Sequence, residues 1–195
     1  MRITPDILEE VMTFKGYKLF RGDWSLNLIG LRSADTESNQ FNDLFLVFFR
    51  CAETWSLLQF PCTTDPGTYY RHNPINVDGT AIVVPGQYRG VWKLGMHRGI
   101  YDALIQKGPV QVYRDNNLDN VIDLNPSTVQ EGMYGINCHR ANPTKSSQVD
   151  RWSAGCQVFQ DARDFDVLLS LCQRSSVTYG NSFSYTLLTE QDIER

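Results

Sequence analysis

Long apolar runs are missing from this sequence. None approaches the roughly 18–20 residues that a membrane-spanning helix requires, so no membrane partner is expected. The first residues, Met1-Arg2-Ile3-Thr4-Pro5-Asp6, turn acidic at once and lack an apolar core segment, so no secretory signal is expected and the product is expected to be made in the cytoplasm. No long basic run occurs either, and the net charge is −4. Duplex nucleic acid is therefore not expected as a partner, because neutralising phosphates needs a clustered positive field. The five cysteines (51, 62, 138, 156, 172) are odd in number and show no CxxC spacing, which fits free thiols better than a disulfide framework. No HxH or HExxH spacing supports a zinc centre among the three histidines. Linkers, repeats and low-complexity segments are absent too.

What is present is enough for one core. The chain has 195 residues, of which 42% are hydrophobic, and a single domain is the expectation. Thr4, Pro5 and the acidic residues Asp6, Glu9 and Glu10 open a helix whose apolar stripe is Ile7, Leu8, Val11 and Met12, with Gly16 as the stop. Strand patterns follow at Trp24–Leu31, at Asp43–Arg50 (apolar on both faces, as in a buried central strand) and at Trp55–Cys62, its hairpin partner. Thr63-Thr64-Asp65-Pro66-Gly67 closes that hairpin with a strong turn signal. Short strands are expected at Thr80–Val84, Val91–Leu94 and Val110–Arg114, and Tyr101–Gln106 reads as a helical turn. Asp161 caps a helix carrying Phe165, Leu168, Leu169 and Cys172, Ser184–Leu188 is a closing strand, and Thr189–Arg195 is a polar tail. Many short strands, two helices and frequent turn residues give a β-rich α+β domain.

The chemistry concentrates between Gly135 and Phe159. An alternating run, Met133 to His139, predicts a strand with His139 at its end. A polar loop, Asn142 to Asp150, leads to Trp152-Ser153-Ala154-Gly155-Cys156 and a short strand, Gln157-Val158-Phe159. One loop thus returns a cysteine at a glycine turn towards a histidine at a strand end. A thiol near its ordinary pKa is only a few per cent thiolate at neutral pH and needs a base, and an imidazole is suited to take its proton. Glycine before the nucleophile permits a backbone angle that a side chain forbids. Backbone N–H groups around Gly155 and Cys156 are candidates for holding an oxyanion, each such donor being worth roughly 3–4 kcal/mol. Cys138, alternating with His139 along the strand, is expected to be structural, as are Cys51, Cys62 and Cys172.

This stretch resembles the signature of the L,D-transpeptidase catalytic domain, in which a strand-end histidine is followed by a loop and then S-H-G-C. The corresponding residues are His139, then Ser153-Ala154-Gly155-Cys156, then the helix after Asp161. Upstream, the Thr64-Asp65-Pro66-Gly67 turn and Pro85-Gly86-Gln87-Tyr88, near the family's T-P-x-G segment, keep the same order. The resemblance extends over 40–188, strongly only at 135–159, and leaves 1–39 as a helix-and-strand extension. It is shared with tailed-phage proteins related to that family. It implies a mixed β-sheet or sandwich with an N-terminal helix and one helix after the cysteine. It also implies cysteine-dependent acyl transfer or hydrolysis on peptidoglycan stem peptides, with Cys156 as nucleophile, His139 as base and no required cofactor. In the family a backbone carbonyl just after the histidine orients the imidazole, here that of Arg140; Asn142 and Asp150 are side-chain alternatives.

Two positions depart from the family. Its histidine before the glycine is Ala154 here, and its arginine two places after the cysteine is Val158, which removes the usual partner of the substrate carboxylate. Arg140 and Arg151 are the substitutes for that contact. With no export signal expected, the implied setting is a phage product, virion-associated or released at lysis, with other virion proteins as further partners. The alternatives are a virion structural or binding protein with a relic site, a thiol peptidase of other specificity, and a metal-dependent hydrolase.

One stretch stands apart. Asp115, Asn117, Asp119 and Asp123 fall at positions 1, 3, 5 and 9 of a calcium-type loop, with Ile122 where such loops bury an apolar residue. Asn120 occupies the place of the favoured glycine and Pro126 that of the closing glutamate, so the same residues also read as an Asx-rich hairpin turn.

Overall fold

The structure is a computed structural model that describes residues 3–194. Met1 and Arg2 of the leader reading and Arg195 of the expected tail lie outside the described residues. Thr4 caps helix α1 (Pro5–Phe14) through its side chain, and Gly16 follows at φ +68°. The first strands are β1 (Asn27–Arg32), β2 (Asp43–Cys51) and β3 (Thr54–Thr63). β2 is buried on both faces, as its sequence predicts. Phe45, Val47 and Phe49 enter the main core, while Leu46 and Phe48 meet Leu8, Val11 and Met12 of α1.

A short helix α2 (Thr68–His72) leads to β4 (Thr80–Val83), β5 (Gly86–His97), β6 (Tyr101–Gln106) and β7 (Val110–Asp115). A 3₁₀ turn at Pro126–Thr128 precedes β8 (Gln130–Gly132), β9 (Cys138–Arg140) and β10 (Gln157–Phe159). The long helix α3 (Ala162–Tyr179), strand β11 (Phe183–Thr189) and the one-turn helix α4 (Glu190–Ile193) complete the chain.

Eight strands close into a barrel in the order β1-β11-β5-β6-β9-β10-β3-β2, and β4-β7-β8 form a separate small sheet. Pairing is parallel at β1/β11 and β9/β10 and antiparallel at every other contact. Closure leaves no free edge on the main sheet, so the architecture is a barrel with an added sheet rather than a sandwich. Trp92, Tyr185, Phe45 and Phe159 stack in its interior, and Phe165 of α3 meets Phe159 edge-on at 5.4 Å. Ala81, Val83, Val110 and Val112 of the small sheet belong to the same core. No helix among the described residues is long and apolar enough to cross a membrane.

Four sequence expectations change. Tyr101–Gln106 is a strand, because the three-residue turn Arg98-Gly99-Ile100, between the paired His97 and Tyr101, folds it back on β5 and buries Ala103 and Leu104. β1, assigned to an extension outside 40–188, is a barrel strand between β11 and β2. The polar tail contains α4, whose Asp192 accepts the Thr189 N–H at 2.9 Å and whose Ile193 is buried. Of the strand expected from Met133 to His139, only its end is laddered. Residues before it give their backbone groups to side chains instead: Gln106 Oε1 accepts the N–H groups of Tyr134 and Ile136, and Trp92 Nε1 donates to the Ile136 carbonyl.

Candidate active site

Parallel pairing of β9 with β10 sets the geometry. Gln157 lies opposite Cys138 and Val158 opposite His139, so Cys156 comes level with Asn137, about two strand residues short of His139. Asn137 and His139, two apart, share one face, and Cys138 points the other way into the barrel core. Cys138, Cys62 and Cys172 are all fully buried there, with thiol pKa values pushed up by burial.

Cys156 is partly exposed at the floor of a groove of about 420 Å³. Its Sγ lies 3.4 Å from the Gly135 carbonyl, to which the thiol donates, and 3.5 Å from the Asn137 N–H, which it accepts. The thiol therefore makes no hydrogen bond to an imidazole in this conformation. Burial pushes its pKa up to about 11, with the Asn137 N–H and the Arg98 charge pulling the other way.

The turn before Cys156 is fixed by Ser153, whose hydroxyl donates to the Cys156 carbonyl at 2.8 Å and accepts the Gly155 N–H at 3.1 Å. That second bond occupies one of the two N–H groups expected for an oxyanion, leaving the N–H of Cys156. Gly155 sits at φ +120°, and a Cβ there would lie 2.4 Å from the Ala81 carbonyl oxygen, so only glycine fits.

His139 is buried, and its Nδ1 lies 2.8 Å from the Arg140 carbonyl oxygen. A carbonyl can only accept, so Nδ1 carries the proton and Nε2 keeps the lone pair. Neither Asn142 nor Asp150 takes this place: Asn142 caps its own loop and Asp150 bonds Asn39. Tyr101, in the strand the sequence read as helical, brings its hydroxyl to 3.2 Å from His139 Nδ1 and 3.3 Å from the same carbonyl. Burial, then the neighbouring His97, lowers the His139 pKa to about 3.

His97 is the functional-face residue that sequence reasoning left in a loop. It stacks on His139 with ring centroids 4.1 Å apart and lines the groove beside Cys156. Asn137 Oδ1 accepts the Gln106 N–H at 2.8 Å, which fixes its amide so that Nδ2 donates to His97 Nδ1 at 3.2 Å. His97 therefore carries its proton on Nε2 and has no free lone pair. Between two stacked imidazoles, only His139 keeps a nitrogen lone pair without a hydrogen bond among the described residues.

The arginines expected to contact substrate lie elsewhere. Arg140 packs over the Tyr101 ring and Arg151 over the Tyr69 ring, and neither lines the groove; Arg98 and Arg114 do. Val158 is fully buried, so its position has no access to the groove. His72 bonds Asn120 at the surface.

The calcium-type loop is organised around an arginine. Asp115 Oδ2 pairs with Arg71 Nη2 at 2.7 Å and accepts the Asp123 N–H at 2.9 Å. Asp119 lies 3.6 Å from the same guanidinium, and Asn117 donates to both Asp119 and Asp123. As arranged, these donors do not fit a calcium ion, because a guanidinium already meets the carboxylates and the Asn117 amide turns its donor end inward. Among the described residues no group of three or more His, Cys, Asp or Glu side chains is placed to hold a metal.

Comparison with protein-family models finds no match, and neither do comparisons with curated proteins and with solved structures.

Proposed function

We propose that this chain is a cysteine-dependent acyl-transfer enzyme of L,D-transpeptidase type, acting on peptidoglycan stem peptides as a bacteriophage cell-wall-modifying or lytic protein. The supporting observation is the complementary state of two groups: a thiol lining a groove just ahead of β10, and a β9 imidazole whose Nδ1–H is pinned on the Arg140 carbonyl so that Nε2 keeps its lone pair.

Both groups are neutral at rest, since burial holds the thiol near 11 and the imidazole near 3. The reaction is then general-base catalysis rather than attack by a preformed thiolate. As the thiol rotates from Gly135 and its sulfur closes on the acyl carbon, its proton passes to His139 Nε2. The Cys156 N–H, at the turn that Gly155 makes possible, meets the developing oxyanion. Collapse of the tetrahedral intermediate expels the amine, which takes the proton from His139, and leaves a thioester. An amine acceptor or water then releases it.

Incubating the protein with muropeptides and following products by mass spectrometry tests this. Shortened or cross-linked stems are expected, absent with Cys156→Ala and reduced about 10²–10⁴-fold with His139→Gln. The rate should stay level across neutrality, without an inflection near 6.5, because both groups keep their reactive neutral forms there. Unchanged substrate sinks the proposal.

The second reading, a virion structural or binding protein with a relic site, is favoured by one observation: the thiol bonds Gly135 and Asn137 and not an imidazole. Under that reading Cys156 is alkylated no faster than Cys51.

A further inference from the structure

The groove beside Cys156 reverses the sign of the molecule. The chain carries a net charge of −4, yet no aspartate or glutamate lines this groove and two arginines do.

Three arginines are buried among the described residues, and their partners differ. Arg32 faces Asp65 at 2.9 Å and Arg71 faces Asp115 at 2.7 Å. Arg114 faces no carboxylate. Its Nε donates to Gln130 Oε1 at 2.9 Å, its Nη1 to the Gly79 carbonyl at 3.2 Å, and its Nη2 is buried without a hydrogen bond. The link to an acid runs only through the Gln130 amide, which donates to Asp78. A buried cation without a counter-ion costs several kcal/mol and is the unusual case.

Its place in the fold is specific. Arg114 pairs with Ala81 across β4 and β7, and Ala81 is the residue whose carbonyl abuts Gly155. The guanidinium lies 4.5 Å from the ring centroid of Tyr134, which precedes the carbonyl that receives the Cys156 thiol. Arg98 lines the same groove. It occupies the β5–β6 turn at φ +51°, where asparagine or glycine is favoured, is exposed, and makes no hydrogen bond or ion pair among the described residues.

The geometry points to a substrate that carries a free carboxylate next to the acyl group under attack, with Arg98 meeting that carboxylate at the rim and Arg114 supplying a fixed positive charge beneath it. It rests on the acyl-transfer reading, which supplies the acyl group under attack.

The test needs no turnover. Alkylation of Cys156 in the full chain is followed by peptide mapping, using anionic iodoacetate and neutral iodoacetamide at low ionic strength. The ratio of the two rates cancels the thiolate fraction and reports the local field. The ratio at Cys156 should exceed that of glutathione about tenfold and shrink towards it in 0.5 M salt. Arg98→Gln and Arg114→Gln should each lower it about 3- to 10-fold, while Arg98→Lys and Arg114→Lys retain most of it. Arg98 is exposed, so its variant stays informative if Arg114→Gln does not fold. A ratio equal to that of glutathione, or one indifferent to both glutamine variants, overturns the inference. Protein that keeps the ratio but leaves muropeptides untouched would remove the acyl-transfer reading alone; active protein with a flat ratio would remove this inference alone.

Discussion

The His97 ring lies against the His139 ring at 4.1 Å and 29°. Two imidazoles this close cannot both be charged without strong repulsion, and both have their pKa values lowered, first by burial. The stack therefore selects a neutral pair, one ring holding its proton towards Arg140 and the other accepting from Asn137.

Acid should destabilise the protein through this pair. In the unfolded chain His139 titrates near 6.5, whereas in the fold it does so near 3. Between those values the unfolded chain binds a proton that the folded chain refuses. Stability is thus full at neutral pH and falls as pH drops below about 6.5, by about 1.4 kcal/mol per pH unit, levelling near 3. Urea unfolding from pH 7 to pH 4 should show this slope, and His139→Gln should flatten it. An unchanged slope in the variant would assign the acid sensitivity to other groups.

Gly155→Ala should be strongly felt although it adds one methyl group. The Cβ would lie 2.4 Å from the Ala81 carbonyl, on a backbone at φ +120°. Strain of about 1–3 kcal/mol is expected from the dihedral alone, lowering the melting temperature by roughly 2–12 °C. Thermal unfolding that matches the parent protein would contradict the turn geometry.

Calcium should leave stability alone, and Arg71 should not. Adding millimolar calcium is expected to produce no shift in melting temperature, because Arg71 already holds Asp115; a rise reversed by chelator would restore the calcium loop. Arg71→Met leaves Asp115 buried without its partner and should cost about 3–5 kcal/mol by denaturant unfolding.

What the sequence by itself determined is what lies within a few residues along the chain. Thr4 and Pro5 start α1 and Asp161 starts α3, each through a side-chain cap visible in the order of residues. The double-sided apolar run fixed β2 as an interior strand, and the S-x-G-C turn marked Cys156 with its obligatory Gly155. The bond from His139 to the Arg140 carbonyl was expected only through the family resemblance, beside Asn142 and Asp150 as alternatives.

The tertiary structure decided what depends on distant segments meeting. Tyr101–Gln106 has no strong local preference, and a three-residue turn with arginine at its first position hid the hairpin that makes it a strand. That hairpin alone carries His97, Arg98 and Tyr101 to the site. Arg114 is legible only as one arginine among many in a chain of net charge −4; its lack of a counter-ion exists only once β7 lies beside β4. Likewise, nothing local shows that Asp115 is held by an arginine 44 positions earlier, which is what turns a metal-like spacing into an ion pair. Side-chain order sets turns, caps and faces, whereas the electrostatics of a buried group are set by what the barrel packs around it.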